Sequence, residues 1–447
     1  MTDVVALLTK QFTEVASRLE STLQFKVYGT VIKISGFLIE AVGLSVSIGS
    51  ICRIDMPNEN NHCLAEVIGF SDNKTLLIPY EEALGITPGN KIDCVNKRHK
   101  VPVGNNMLGR IMNGRCEPID RKGPLEPSDY YSLYSKPINP IERNRITQPM
   151  DVGIRAINSM LTVGQGQRIG IFAGSGVGKS VLLGMMTRFT SADIVVIGLV
   201  GERGREVKEF IEESVGVANL GKTIIIAAPI DTSPLERSNG ALVATSIAEF
   251  FRDQGRHVLL IIDSLTRYAQ ALRQIYLVQG EMPASKGYTP SVFSKMSQLI
   301  ERTGNGIDEQ GSITAFYTVL TEGDDMNDPV ADHARSVLDG HIVLSRKLAE
   351  SGHYPAIDIS ASISRVMPAV ISKAHLDQVK HFKKLYSAYL ENQDLIKMGM
   401  YHHGSDPIVD ESLQLHSKMQ TFLQQDVDEA SQMPEALNQL MALFNNE

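Results

Sequence analysis

The stretch "QRIGIFAGSGVGKSVLLGMMTRF", Gln167 to Phe189, constrains the fold more than any other part of the chain. A short apolar run, "RIGIFA", enters a glycine-rich turn, and the turn opens the helix-like segment "KSVLLGMMTRF". Gly174, Gly176 and Gly178 let backbone N–H groups turn inward at a helix N-terminus, where they surround phosphate oxygens. Lys179 then reaches the β- and γ-phosphates, and the Ser180 hydroxyl ligates Mg²⁺. Strand, glycines, Lys-Ser pair and helix together weigh against a chance Gly-rich turn. The usual opening glycine is replaced by Ala173, which is tolerable if its backbone starts the loop with φ below zero.

Such a loop requires a strand–helix fold around it. "DIVVIGLV", "TIIIAAP", "HVLLIID", "SITAFYTVL" and "HIVLS" are short and almost continuously apolar. Strands covered by helices on both faces read this way, so an α/β domain with a parallel, doubly wound sheet is expected. Upstream, from about Gln24 to Val95, short β-like runs alternate with turn segments such as "SDNKT" and "TPGNK". Five or six strands at this spacing suggest a small closed barrel. Residues 96–150 form a connector containing Pro124, Pro127, Pro137, Pro140 and Pro149, and from about Lys373 the chain reads as helices only. The expected divisions are an amphipathic helix at 1–22, a barrel at 23–96, an α/β domain at 97–372 and a helical domain at 373–447. In the first, Val5, Leu8, Phe12, Val15 and Leu19 share one helical face. That face either packs on its own domain or docks a partner helix, and the residues leave both open.

A net charge of −8 argues against general nucleic-acid coating, which needs a basic surface. Cys52, Cys63, Cys94 and Cys116 form no C-x-x-C pair and read as small buried or half-buried residues in a reducing compartment. No signal-peptide pattern opens the chain and no apolar run approaches a membrane span, so a cytoplasmic protein is expected.

Two further strands deliver carboxylates to the edge where open α/β sheets bind ligands. "HVLLIID" ends in Asp263, which fits a water-mediated magnesium carboxylate downstream of a phosphate loop. "DIVVIGLV" delivers "GERGRE", in which Glu202 can polarise an attacking water and Arg203 can touch a phosphate. Arg205 and Glu206 read as structural charges. In "YPAIDISASISR", Tyr354 can stack on a base and Arg365 can neutralise transition-state charge, but nothing in the residues themselves shows either, and on them alone a packed aromatic is the favoured reading of Tyr354.

Several segments together resemble the flagellum-specific export ATPases, type III secretion relatives of the rotary ATP synthase subunits. They are "FAGSGVGKSVLLGMM", "GERGREVKEFIEE", "TSPLERSNGA", "VLLIIDSLTRYAQALR", "KGYTPSVFSKM", "ITAFYTVLTEGDD", "DGHIVLSR" and "YPAIDISASISR". "HHGSDPIVDES" is similar to the flagellar branch, where an opening Ala173 is ordinary. The resemblance implies a RecA-like parallel-sheet ATPase core with an N-terminal small β-barrel and a C-terminal helical domain. It implies ATP and Mg²⁺ as cofactors and a homohexamer with each site between two subunits. It assigns nucleotide contacts to Gly174, Ser175, Gly176, Val177, Gly178, Lys179, Ser180 and Val181, with Tyr354 on the adenine. It assigns the metal to Ser180 and Asp263, and catalysis to Glu202, Arg203, Lys179 and an arginine finger, Arg365, offered to the neighbour. Implied partners are a peripheral-stalk-like regulator at the N-terminal helix and a central-stalk-like coiled coil facing Lys286–Lys295. Export chaperones, cargo and a membrane export gate complete the set, at the inner face of the cytoplasmic membrane, with no nucleic acid.

Three alternatives compete with a flagellar motor. An injectisome ATPase shares most of these motifs. An RNA-dependent ring needs basic, aromatic-studded barrel surface; Phe25, Tyr28, Phe37, Phe70 and Tyr80 supply aromatics without a Lys/Arg stripe. A non-catalytic ring subunit would lack the glutamate that Glu202 supplies.

Overall fold

The computed structural model describes residues 28–444 except 57–60, 97–98, 322 and 324, so the helix expected over 1–22 lies outside the described residues. The chain divides into two compact units, Met1–His99 and Lys100–Glu447.

Six strands of the first unit close into a barrel: Gly29–Ser35, Leu38–Val42, Ile51–Met56, Asn61–Ser71, Lys74–Pro79 and Lys91–Asn96. Closure follows from the first strand, which pairs with the second on one side and the sixth on the other, leaving no free edge. Alternation supplies the core: Cys52, Ile54 and Met56 point inward while Ile51, Arg53 and Asp55 are only half-buried. Asp72 and Asn73 both take positive φ (47° and 63°), which matches the twist of the hairpin they close. Of the β-like run "SVSIGSICRID", Ser45 to Asp55, only the part from Ile51 is strand. Gly49 (φ 83°) and the Ser47–Ser50 side-chain contacts turn the chain before it. Tyr80 is buried and donates to Glu66 Oε2 at 2.6 Å, so it is no part of an aromatic binding face.

The second unit is built on a sheet ordered Ile357–Ser364, Gly340–Leu344, Arg168–Ala173, Ser312–Leu320, His257–Asp263, Ile194–Val200, Thr223–Ala228 and Ile111–Asn113. Every pair along this path is parallel except the first. The sheet is therefore mixed where a parallel one was expected, because "PAIDISASIS" returns antiparallel along the edge. The supposed connector also contributes structure. Ile111–Asn113 extends the sheet, and Lys100–Val103 pairs with Asp129–Ser132. Three residues are too short to show a period, and Ile111 is held instead by its N–H on the Asp120 carboxylate.

Alternate residues of the central strands face opposite layers. Val196, Val200, Leu260 and Ile262 pack with Ala244, Phe251, Leu265 and Leu299 on one face. Val195, Ile197, Leu259 and Ile261 share the other with Leu182, Leu183, Phe382 and Met419. The helices Lys373–Lys397, Pro407–Leu423 and Met433–Ala442 thus belong to a core they share with the phosphate-loop helix. Cys52, Cys63 and Cys116 are buried, Cys94 is half-buried, and all four are free thiols.

Candidate active site

The strand Arg168–Ala173 ends at the carboxyl edge of the parallel sheet, and the helix Lys179–Phe189 starts immediately beyond the loop. Gly176 and Gly178 take φ of 80° and 89°, conformations that disfavour a side chain. Ala173 is not among the residues with positive φ; it completes the strand, opposite Leu320 and Leu344. At the crest of the loop, Arg346 Nη1 donates to the Ser175 carbonyl at 3.2 Å. An outward carbonyl held this way leaves the neighbouring N–H groups free to point inward.

Three side chains expected at the site meet beneath the loop. Lys179 Nζ contacts Asp263 Oδ1 and lies 3.4 Å from Glu202 Oε1, with all three side chains largely buried. Burial opposes the charge on Lys179, but Asp263 and Glu202 hold its pKa above the ordinary lysine value. Burial lifts the Glu202 carboxyl above the ordinary glutamate range, against the pull of Lys179 and with the help of Asp263. Asp263 Oδ1 also accepts from Thr318 Oγ1 at 2.6 Å.

A cavity of about 350 Å³ opens beside this cluster, lined by the loop, Lys179, Ser180, Val181, Glu202, Arg203, Glu206, Arg267 and Leu320. Arg203 projects to solvent, 77% exposed, and pairs with Glu206 at 3.1 Å. Glu206, which reads as structural in the sequence, joins the cavity wall, whereas Arg205 is exposed and pairs with Glu209. Arg267 is a wall residue that sequence reasoning misses. Its position in the first turn of Leu265–Val278, four residues past Asp263, is the signal that could have found it. Its Nε is buried without a hydrogen-bond partner among the described residues.

A second cavity, about 630 Å³, shares Gly176, Gly178 and Val181 with the first. Tyr354 is 46% exposed on its wall, and its ring stands against Gly178, where an added Cβ would meet Cε1 at 3.4 Å. The segment Gln424–Val427, which no local motif announces, also lines this cavity. Gln425 anchors it: its N–H donates to the Tyr354 carbonyl at 3.0 Å, and its buried side chain accepts from Arg155 N and donates to Gly153 O.

Arg365 is elsewhere. Ser364 pairs with Gly340, the first residue of its neighbouring strand, while Ala173 pairs with Leu344 at the strand's other end. Arg365 therefore stands at the amino edge of the parallel strands, where it donates to the Leu338 and Arg335 carbonyls. In the segment expected to face a stalk, Lys286 pairs with Asp325 and Asp328 at 3.3 and 3.6 Å.

Three family models match the chain. The nucleotide-binding domain of the ATP synthase alpha/beta family matches residues 153–364, and its beta-barrel domain matches 31–96. The T3SS EscN ATPase C-terminal domain matches 371–442. The flagellum-specific ATP synthase of Salmonella typhimurium is 50% identical over 426 residues, 93% of either chain. That of Pseudomonas aeruginosa is 51% identical over 422 residues, 94% of this chain and 93% of its own. The chain belongs to the flagellum-specific ATP synthase family. It is a nucleotide-binding ATPase with a RecA-like core. Among solved structures, the assembled ATPase EscN of the enteropathogenic E. coli type III secretion system superposes with a TM-score of 0.88 at 42% identity, over 93% of this chain and 99% of that one. EscN in complex with its central stalk EscO gives 0.86 at the same identity and coverage.

A family ATPase of this kind uses a divalent cation, and the residues present suit magnesium. Ser180 is exposed and its hydroxyl has no hydrogen-bond partner among the described residues, and Asp263 Oδ2 takes no hydrogen bond from them either. Magnesium takes hard oxygens and is held by one or two protein groups together with phosphates and water. No cluster of three or more His, Cys, Asp or Glu side chains that would make an all-protein cage occurs among the described residues.

Proposed function

We propose that this chain is the ATP-hydrolysing subunit of a homohexameric flagellar export motor, in which each site is completed by a neighbour. The observation that carries the proposal is the placement of Tyr354 and Arg365 at opposite ends of the strand Ile357–Ser364. The strand bulges between Asp358 and Ile363, and its ends stand opposite Leu344 and Gly340, roughly 13 Å apart at about 3.3 Å per residue of that partner strand. Tyr354 is against its own phosphate loop, and Arg365 is beyond reach of a γ-phosphate bound there. One chain carrying both Glu202 and Arg365 suits a ring of identical subunits with every site competent.

The adenine lies between Tyr354 and Gln424–Val427, and the phosphates lie along Gly174–Val181. Ser180 and Asp263 would hold magnesium, which would supply neutralisation of phosphate charge. Lys179 turns from its two carboxylates to the β- and γ-phosphate oxygens. Glu202 takes a proton from the water that attacks the γ-phosphorus as the bond to the bridging oxygen breaks, releasing ADP and phosphate. Arg203 contacts the transferring phosphoryl group, and the partner subunit's Arg365 neutralises its developing charge.

In the cell the ring releases flagellar cargo from chaperones and delivers it to a membrane export gate from the cytoplasmic face. Segment 1–22 receives a peripheral-stalk-like regulator, and Lys286–Lys295 faces a central-stalk-like coiled coil. The EscN–EscO complex supports the stalk assignment, and the absence of a helix long and apolar enough to cross a membrane among the described residues suits a peripheral association. The higher identity to flagellar relatives than to EscN favours the flagellum over an injectisome. The deciding experiment measures ATPase rate against protein concentration, with sedimentation to count subunits. Specific activity should rise as rings form and be indifferent to RNA; a concentration-independent monomeric rate, or strong stimulation by RNA, refutes the motor.

A further inference from the structure

The magnesium carboxylate has a second support that no motif marks. The strand Ser312–Leu320 lies between the phosphate-loop strand and the strand ending in Asp263. Thr318 pairs with Ile171 on the first side, and Tyr317 pairs with Ile262 on the second, which brings Thr318 beside Asp263. Thr318 is fully buried, and its hydroxyl donates to Asp263 Oδ1 at 2.6 Å. The register is locked two residues further on, where the Leu320 N–H donates to Thr266 Oγ1 at 2.9 Å.

We propose that Thr318 is a positioning residue for magnesium: it fixes the Asp263 carboxylate so that Oδ1 stays bound to protein and Oδ2 faces the hydrated cation. The inference rests on Asp263 being the magnesium carboxylate. Oδ1 has two donors, Lys179 and Thr318. Lys179 leaves for the phosphates when nucleotide binds, and Thr318 then remains as the donor that holds Oδ1. A short bond from a buried hydroxyl to a carboxylate is among the stronger neutral-to-charged contacts, and a buried carboxylate oxygen without it is free to turn. A β-branched residue in a buried strand needs no functional reason, which is why the sequence alone leaves Thr318 as an ordinary strand former.

The test compares Thr318→Val, which removes the donor at nearly constant shape, with Thr318→Ser, which keeps it. Affinity for a fluorescent ADP analogue is measured with magnesium and with EDTA, alongside Mn²⁺ binding followed by electron paramagnetic resonance. In EDTA all three proteins should bind within about twofold of one another. The affinity gained on adding magnesium should shrink about tenfold in Thr318→Val and return in Thr318→Ser. A Thr318→Val protein of normal melting temperature with the full magnesium-linked gain overturns the proposal. If the valine variant does not fold, Thr318→Cys, a weak donor of similar size, takes its place with the same two outcomes. Introducing either substitution into Asp263→Asn should change nothing further. Lys179→Ala tests the underlying site separately: retained nucleotide affinity there refutes the phosphate loop itself, whatever Thr318 does.

Discussion

Arg365 and Lys179 stand at opposite edges of one sheet. Lys179 opens the helix beyond Ala173, whose partner is Leu344, whereas Arg365 follows Ser364, whose partner is Gly340 at the other end of the same strand. An arginine so placed can act on a γ-phosphate only in another copy of the chain. Arg365→Ala should therefore lower the ring-dependent rate by about 10³-fold or more. Nucleotide affinity of the dilute monomer, measured by fluorescence titration, should stay within about twofold. Recovery of turnover when Arg365→Ala is mixed with an inactive Lys179→Ala protein would show complementation across the interface; an unchanged rate in the pure Arg365→Ala ring would remove the finger.

Glu202 is poised by its surroundings to titrate late. Burial lifts its carboxyl above the ordinary glutamate range, and a general base must be ionised to work. The rate kcat should fall as pH is lowered, with a midpoint above that of an exposed glutamate. Glu202→Gln should keep nucleotide binding and lose turnover by at least about 10²-fold across the whole range. A wild-type acid limb at ordinary glutamate pH would count against Glu202 as the base.

Tyr354 presents its ring to the larger cavity beside Gly178. Stacking on a base requires the ring and not the hydroxyl. Tyr354→Phe should be near neutral, while Tyr354→Ala should raise KM for ATP about tenfold with kcat largely retained. Equal effects of the two substitutions would assign the residue to packing through its hydroxyl instead.

Asp120 ties the segment carrying Ile111–Asn113 to the sheet. Its carboxylate accepts from Arg110 Nε at 2.7 Å and from the N–H groups of Ile111 and Lys122 at 3.1 and 3.0 Å. Burial alone would raise this carboxyl, but Arg110 and the two N–H groups bring it down to about 2. A depressed folded-state pKa contributes stability that is present above the ordinary aspartate range and is lost as pH falls toward 2. Asp120→Asn should be less stable than wild type by about 1–3 kcal/mol at pH ~7. The gap in melting temperature should narrow steadily below pH ~4, and a gap independent of pH would show that the charge contributes nothing.

Local chemistry makes the centre of the site legible in the chain itself. Gly176 and Gly178 are required by the turn, Lys179 and Ser180 follow at fixed offsets, and Glu202 and Asp263 end apolar runs that must be buried strands. Each of these signals is contained within a few consecutive residues, where backbone sterics and hydrophobic period act directly. The same holds for the barrel strands, whose alternation and turns are written in the chain. The three residues Ile111–Asn113 and the late start of the strand at Ile51 are not legible, because segments so short, or so rich in Ser and Gly, carry no period.

What the tertiary structure decided is which distant residues meet. Gln425 reaches Tyr354, Thr318 reaches Asp263, and Arg346 reaches the crest of the loop only because of strand order and helix packing. The direction of Ile357–Ser364 was decisive: run antiparallel, it sets Tyr354 at the phosphate-loop edge of the sheet and Arg365 at the other. Strand order and direction are set by burial and hydrogen bonding summed over the whole sheet, in which no single segment's propensity dominates. The sequence by itself determined which groups gather around a phosphate loop; the fold determined that Arg365 stands at the edge of the sheet away from the loop of its own chain.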